Sequence, residues 1–197
     1  MNPLYIVDTE TTGLDGYPQD LVVEIGIVRV NLEKGTVRNV MDTVVGYDTG
    51  SWPACMCSSW IFSNSTLTTE EVDRAPRMKT VVDLVRGTLS GKHVTSYNRS
   101  FDFGRFLNEP PWNLRECTVR EPCVMLAADA VSEIPRSGSY YDRPAWPRLE
   151  NAYAYLCPDN PEDIGDQDHR ALSDARMAGW VAIELYRRGL YTMGAVT

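Results

Sequence analysis

Apolar positions change their period several times along the chain, and each change marks an element. Residues 5–7, Tyr-Ile-Val, are a compact run of bulky and β-branched side chains that predicts a buried strand. Residues 21–30, LVVEIGIVRV, form a second and almost wholly apolar run with Glu24 inside it. A turn at 31–35, closed by Lys34-Gly35, leads to a third run at 36–45 rich in Val and Thr. Runs joined in this way predict sequential antiparallel strands. The period then becomes helical. Thr68-Thr69-Glu70-Glu71-Val72 has the capping threonines and early acids of a helix start, and Pro76 ends that helix. Met78, Val81, Val82, Val85 and Leu89 recur at helical spacing as far as Gly91. Residues 93–97 predict another strand, with His93 as a surface residue at its start. Phe103, Phe106 and Leu107 share one face of a helix for which Asn98 and Ser100 are candidate caps.

Pro122 opens a helix through about Val131, and 132–147 is a polar surface loop. Leu149, Ala152, Tyr153 and Leu156 mark a short helix stopped by Pro158. An acidic loop, 159–168, precedes the last long helix, 170–188. That helix carries a small-residue stripe of Ala171, Ala175, Ala178 and Ala182, with Asp168 as a cap and Gly189 at its end. The predicted order is β-β-β-α-α-β-α-α-α-α, an α/β fold in one domain spanning 1–197, without repeats or linkers.

Composition narrows the class. A hydrophobic fraction of 43% and a charged fraction of 23% are those of a soluble globular protein. No apolar run approaches the ~20 residues of a membrane span. The first strand begins too early to leave room for a signal peptide, and five cysteines without a tight framework point to a reducing, intracellular (cytoplasmic) compartment. Cys55-x-Cys57 lacks the second pair that a zinc site needs and is read as loop thiols. Trp52 and Trp60, in the poorly patterned stretch 51–66, are read as loop anchors in preference to base-stacking surfaces. The net charge of −8 argues against a broad basic nucleic-acid surface, yet carboxylates committed to divalent cations would supply part of it.

The candidate chemistry sits where elements start or stop. Asp8 and Glu10 follow the first strand and, two residues apart, point to the same face. Two adjacent carboxylates repel and need a shared proton or a cation, so this strand end predicts a hard-metal site. Glu24 is read as a satisfied structural carboxylate rather than a ligand. Asp102 falls in the first turn of its helix. His169 and Asp174 are five apart, about 140° around an ideal helix. To work together, His169 must lie in or before the first turn.

These residues together resemble the DnaQ-like 3′→5′ exonucleases of the DEDDh group. Asp8-Thr-Glu10-Thr-Thr-Gly-Leu14, Asn98-Arg-Ser-Phe101-Asp102-Phe-Gly-Arg-Phe106 and His169-Arg-Ala-Leu-Ser-Asp174-Ala match the three family motifs in order, over nearly the whole chain. The resemblance implies an RNase H-like fold, a central mixed β-sheet flanked by α-helices. It implies two Mg²⁺ ions, with Mn²⁺ able to substitute, at the ~3.5–4 Å spacing of two-metal phosphodiester hydrolysis. Asp8 would bridge both ions, Glu10 and Asp174 would hold one and Asp102 would serve the other. His169 would take the proton from the attacking water, its pKa raised by Asp166 and Asp168. Thr11 and Thr12 would meet the terminal sugar, Leu14 would wedge the terminal base, and Phe101 and Asn98 would complete the grip, with little sequence specificity.

Two departures concern substrate grip. Tyr97 stands where many relatives have His, and Ser65-Thr66-Leu67 replaces a His-Gly-Ile step. The expected substrate is the 3′ end of single-stranded or frayed DNA, because Thr-Thr-Gly-Leu is the proofreading form of the first motif. RNA trimming is the alternative, followed by a non-catalytic nucleic-acid or polymerase-binding module and, last, an unrelated metal phosphatase. A second copy of the chain in a homodimer, or a polymerase, is the protein partner the family implies. The short stretch after the last helix favours a free-standing enzyme.

Overall fold

The computed structural model describes residues 2–140, 143–160 and 169–194. The three predicted strands are β1 (Leu4–Thr11), β2 (Val22–Asn31) and β3 (Thr36–Val44), paired antiparallel in sequence order. β4 (His93–Thr95) adds parallel to β1 on its other side, and β5 (Val119–Arg120) adds parallel to β4. The result is a mixed five-stranded sheet ordered β3-β2-β1-β4-β5. β5 went unpredicted because two residues are too few to show a period. The expected surface loop also holds a two-residue pair, Ser139–Tyr140 with Arg143–Pro144.

Strand alternation sends side chains to two cores. Leu4 and Ile6 of β1 join Val28 and Val30 of β2 against Ala175, Ala178 and Ala182 of the last helix, Ala171–Arg187. Val7, Ile25 and Ile27 face the other way, toward Val81 and Val85 of the helix Met78–Leu89 and toward Phe103 and Phe106. Asp8 and Glu10 continue the Leu4–Ile6 side, so they face the last helix. The helix Thr69–Arg74 starts on the predicted capping box, with Thr68 accepting from the Glu71 N–H at 3.2 Å and Glu71 accepting from the Thr68 N–H at 2.9 Å.

Several expectations need correction. His93 is not a lone surface residue: its Nδ1 lies 2.5 Å from the buried Glu121 carboxylate and its Nε2 lies 3.0 Å from Asn2. The helix predicted to reach Val131 stops at Ala128, where Arg136 donates to the freed Asp129 and Val131 carbonyls. Residues 51–66, which showed no pattern, contain short helices at Ala54–Cys57 and Trp60–Asn64. The acidic loop's 161–168 segment, with Asp166 and Asp168, lies outside the described residues, so both expectations placed on it do too. Among the described residues no helix is long and apolar enough to cross a membrane.

Candidate active site

Asp8 and Glu10 come from β1 and Asp174 from the first turn of the last helix. One carboxylate oxygen of each lies within 4.8 Å of the others. Two residues of β2 make this convergence possible. Gly26 pairs with Asp8 across the ladder. A Cβ on Gly26 would stand 2.3 Å from the Ala171 backbone, so only glycine lets the helix start lie this close to the sheet. Glu24 pairs with Glu10 and is fully buried. Its Oε1 accepts from Arg170 Nε at 2.8 Å and Nη2 at 2.5 Å, and its Oε2 accepts from the Ala171 N–H at 3.0 Å. Glu24 therefore takes one of the unpaired N–H groups at the start of the last helix. It is a structural carboxylate, and its particular task, clamping the helix that carries Asp174, had no signal in the strand pattern.

Asp102 arrives from the other core, in a π-helical turn, Asp102–Leu107, that continues a single α-turn, Arg99–Phe101. It is buried, and its Oδ1 accepts from the Thr9 hydroxyl at 2.7 Å and the Thr9 N–H at 3.2 Å. Burial pushes the Asp102 carboxyl up to about 6, against the lowering effect of the Thr9 and Ser96 hydrogen bonds. Burial also raises Asp8 well above the carboxylate range, followed by the charges of Asp102, Asp174, Glu10 and Glu24. Asp102 thus stands electrostatically beside the three clustered carboxylates.

Four mutually repelling oxygen donors in a confined space fit a hard divalent cation, which relieves the repulsion that otherwise binds protons. This has a testable consequence. A carboxyl whose folded pKa is raised destabilises the folded state as pH rises from its ordinary value through the raised one. Without metal, the cluster's contribution therefore worsens from about pH 4 to beyond about pH 6 for Asp102. Mg²⁺ competes with those protons, so it should raise Tm more near pH ~7.5 than near pH ~5.5. Thermal melts in Mg²⁺ and in EDTA at the two pH values check this; an equal Mg²⁺ shift at both would contradict it.

His169 lies two residues before the last helix, with φ of 51°, a left-handed conformation that few non-glycine residues adopt. It is thus placed ahead of the first turn, as the five-residue step to Asp174 demands. Its ring packs edge-on against Trp60, with centroids 4.7 Å apart. Arg170 holds the neighbouring backbone by donating to Thr66 as well as to Glu24.

A cavity of about 490 Å³ opens beside Glu10 and is lined by Thr11, Thr12, Leu14, Phe101 and Trp60. Four of the five residues expected to grip the substrate therefore share one wall system. Leu14 is 69% exposed, on a loop held where Arg105 donates to its carbonyl. The same Arg105 lies over the Phe101 ring. The Thr12 hydroxyl is committed to the loop itself, bonded to Asp20 and to the Leu21 N–H. Asn98 does not line the cavity; its side-chain Oδ1 accepts from the Ser100 hydroxyl at 2.8 Å. Tyr97 is a core residue whose hydroxyl donates to the Pro147 carbonyl at 2.8 Å.

The two tryptophans part company. Trp52 is the anchor, packed between Tyr47 and Phe62. Trp60 is 58% exposed and belongs to the cavity, contrary to its reading as an anchor. Nothing in the local pattern distinguishes the two, because what does so is which one faces β1. Cys55 and Cys57 are free thiols, and among the described residues the only group of metal-type ligands is the carboxylate cluster.

Comparison with known proteins agrees with this geometry. The family model described as RNase_T, exonuclease, matches residues 5–181. No curated protein matches the chain. The nuclease domain of 3'hExo, a DEDDh family member bound to rAMP, is similar with a TM-score of 0.62 and 16% identity, covering 100% of this chain and 98% of that one. Cell-death related nuclease 4 is similar at 0.64 and 15% identity, over 98% and 67% of the two chains. E. coli Exonuclease I in complex with a dA16 oligonucleotide is similar at 0.64 and 16% identity, over 95% of this chain but only 41% of that one. With the family matched across most of its length, and the acids of the first and third motifs drawn to one place with Asp102 electrostatically beside them, the chain belongs to the RNase_T exonuclease family, the DnaQ-like DEDDh 3′→5′ exonucleases, and is a hydrolase.

Proposed function

We propose that the protein removes nucleotides one at a time from the 3′ end of single-stranded or frayed DNA, releasing nucleoside 5′-monophosphates. The observation that carries this reading is the convergence of Asp8, Glu10 and Asp174 beside a cavity wide enough for a terminal nucleotide. Asp8, Glu10, Asp174 and Asp102 would hold two Mg²⁺ ions, with Asp8 shared, Glu10 and Asp174 completing one site and Asp102 serving the other, and Mn²⁺ would be an acceptable substitute. When bound, such ions would supply a nucleophilic water at neutral pH and neutralise charge on the phosphoryl oxygens. His169 would accept the proton of the attacking water at an imidazole nitrogen, as a general base. Water oxygen bonds to phosphorus, the bond to the 3′ oxygen of the preceding sugar breaks, and that oxygen leaves with a proton as the new 3′ hydroxyl.

Leu14, Phe101 and Trp60 offer apolar faces to the terminal base and sugar, and the Thr11 backbone lies beside them. Truncating Trp60 to Ala should raise KM for a single-stranded oligonucleotide about tenfold, the ~1–3 kcal/mol of one stacking platform. Steady-state kinetics check this, and an unchanged KM would return Trp60 to a purely structural role.

An RNA 3′ end is the second reading, favoured by the likeness to a domain solved with rAMP over nearly the full length of both chains. Degradation of 5′-labelled DNA and RNA of one sequence, in Mg²⁺, Mn²⁺ or EDTA, decides between them. A metal-dependent ladder shortening from the 3′ end, faster on DNA, is expected. A faster RNA ladder would select the second reading, and no ladder on either would refute both.

A further inference from the structure

β1, β4 and β5 are parallel, so the residues that follow them emerge along one edge of the sheet. Glu10 and Thr11 lie there on β1, Arg99 follows β4, and Arg120 ends β5. On this edge a second cavity, of about 260 Å³, is lined by Arg99, Arg115, Arg120, Leu126 and Trp146, among others. The Arg99–Leu107 segment is the wall it shares with the first: Phe101 lines the active-site cavity, while Arg99, Phe103 and Gly104 line the second.

Three guanidinium groups gathered at one place are unusual in a chain of net charge −8. Arg99 is held by its own bond to the Glu121 carbonyl at 2.5 Å. Arg115 and Arg120 are exposed, and among the described residues neither makes an ion pair with a carboxylate. Burial, and after it the charges of Arg115 and Arg99, lower the pKa of Arg120. Like charges so placed favour an anion between them. Leu126, 47% exposed, and Trp146 give the cavity an apolar side as well. Positive charge interleaved with aromatic surface is how proteins track a single strand without reading its bases.

We propose that this cavity binds the sugar–phosphate backbone of the substrate strand upstream of its 3′ end, an assignment that rests on the exonuclease reading of the first cavity. β5 is two strand spacings from β1, roughly 10 Å. The phosphates held here are therefore those a few nucleotides back from the scissile bond. A local basic track also explains how a strongly acidic chain approaches a polyanion.

The test is fluorescence anisotropy with labelled DNA trimers and dodecamers in Mg²⁺, in the Asp8→Asn background so that nothing is cleaved. Arg115→Ala with Arg120→Ala should weaken dodecamer binding about tenfold and flatten its salt dependence by ~1.4 in log–log slope, about 0.7 for each phosphate that is no longer neutralised. Trimer affinity should not move, and the Lys pair at the same positions should restore the slope. Dodecamer binding and slope unchanged in the Ala pair would overturn the proposal. So would equal losses for trimer and dodecamer, or displacement of the dodecamer by polyglutamate as readily as by unlabelled DNA, which would mark the cavity as a site for acidic proteins. The natural protein's digestion ladder is run alongside. A normal ladder with no arginine effect sinks only the second cavity, whereas arginine-dependent binding without a ladder sinks only the exonuclease reading.

Discussion

Asp8→Asn should abolish at least about 10³ of the exonuclease rate, some 4 kcal/mol of transition-state stabilisation, and yet raise Tm in EDTA. The two effects have one cause. Asp8 faces Glu10 and Asp174 within 4.8 Å, with Asp102 nearby, and its carboxyl is held well above its ordinary range. At neutral pH the metal-free protein must either bear that repulsion or bind a proton, and a neutral amide removes the need for either. The same change deletes the one carboxylate shared between both proposed cation sites, so Mg²⁺ should no longer raise Tm by its normal amount. Kinetics together with melts in EDTA and Mg²⁺ check all three statements. A variant that melts lower in EDTA would show that Asp8 is held by favourable contacts rather than by the fold's constraint. Retained cleavage would remove it from the catalytic centre.

Gly26→Ala is expected to be almost as damaging without touching a functional group. The added methyl would sit 2.3 Å from the Ala171 carbonyl carbon and oxygen and 2.4 Å from the Leu172 nitrogen. These are backbone atoms, so the start of the last helix has to move away from β2. Overpacking of this kind costs about 1–3 kcal/mol of stability. The functional loss should be larger than the stability loss suggests, because Asp174 rides on that turn and a ~1 Å misplacement can cost about 10²-fold in rate. Gly87→Ala is the matched control. It lies in the helix Met78–Leu89 with no atom within 4 Å of its new methyl, and should gain about 0.5–1 kcal/mol with no change in rate. Equal activity of the two alanine variants at a temperature where both are folded would refute the positioning role of Gly26.

The acids proposed for the active site were legible in the chain because each sits beside a local signal. Asp8 and Glu10 follow a β-branched run, Asp102 follows a strand and a cap, and His169 and Asp174 open the one long small-residue helix. Period two places Asp8 and Glu10 on one face whatever else the chain does. The helical period likewise forces His169 out of the helix that holds Asp174, and its φ of 51° is the backbone's answer.

What remained hidden depends on neighbours far away in sequence. Glu24 could be read as a satisfied structural carboxylate, but its partners, Arg170 and the Ala171 N–H, come to it across 146 and 147 positions. His93 looked isolated until β5 brought Glu121 beside it. Trp52 and Trp60 stand in one unpatterned stretch, yet one packs inward between Tyr47 and Phe62 and the other lies open beside Glu10. Arg99, Arg115 and Arg120 form a cluster only because β4 and β5 run parallel and end at the same edge. Local periodicity and motif spacing, then, determined the types of the longer elements, the faces of the strands and the family to which the candidate acids point. The clamp on the last helix, the open tryptophan and the basic cavity were decided by tertiary structure alone, since a contact between distant segments leaves no period in either of them.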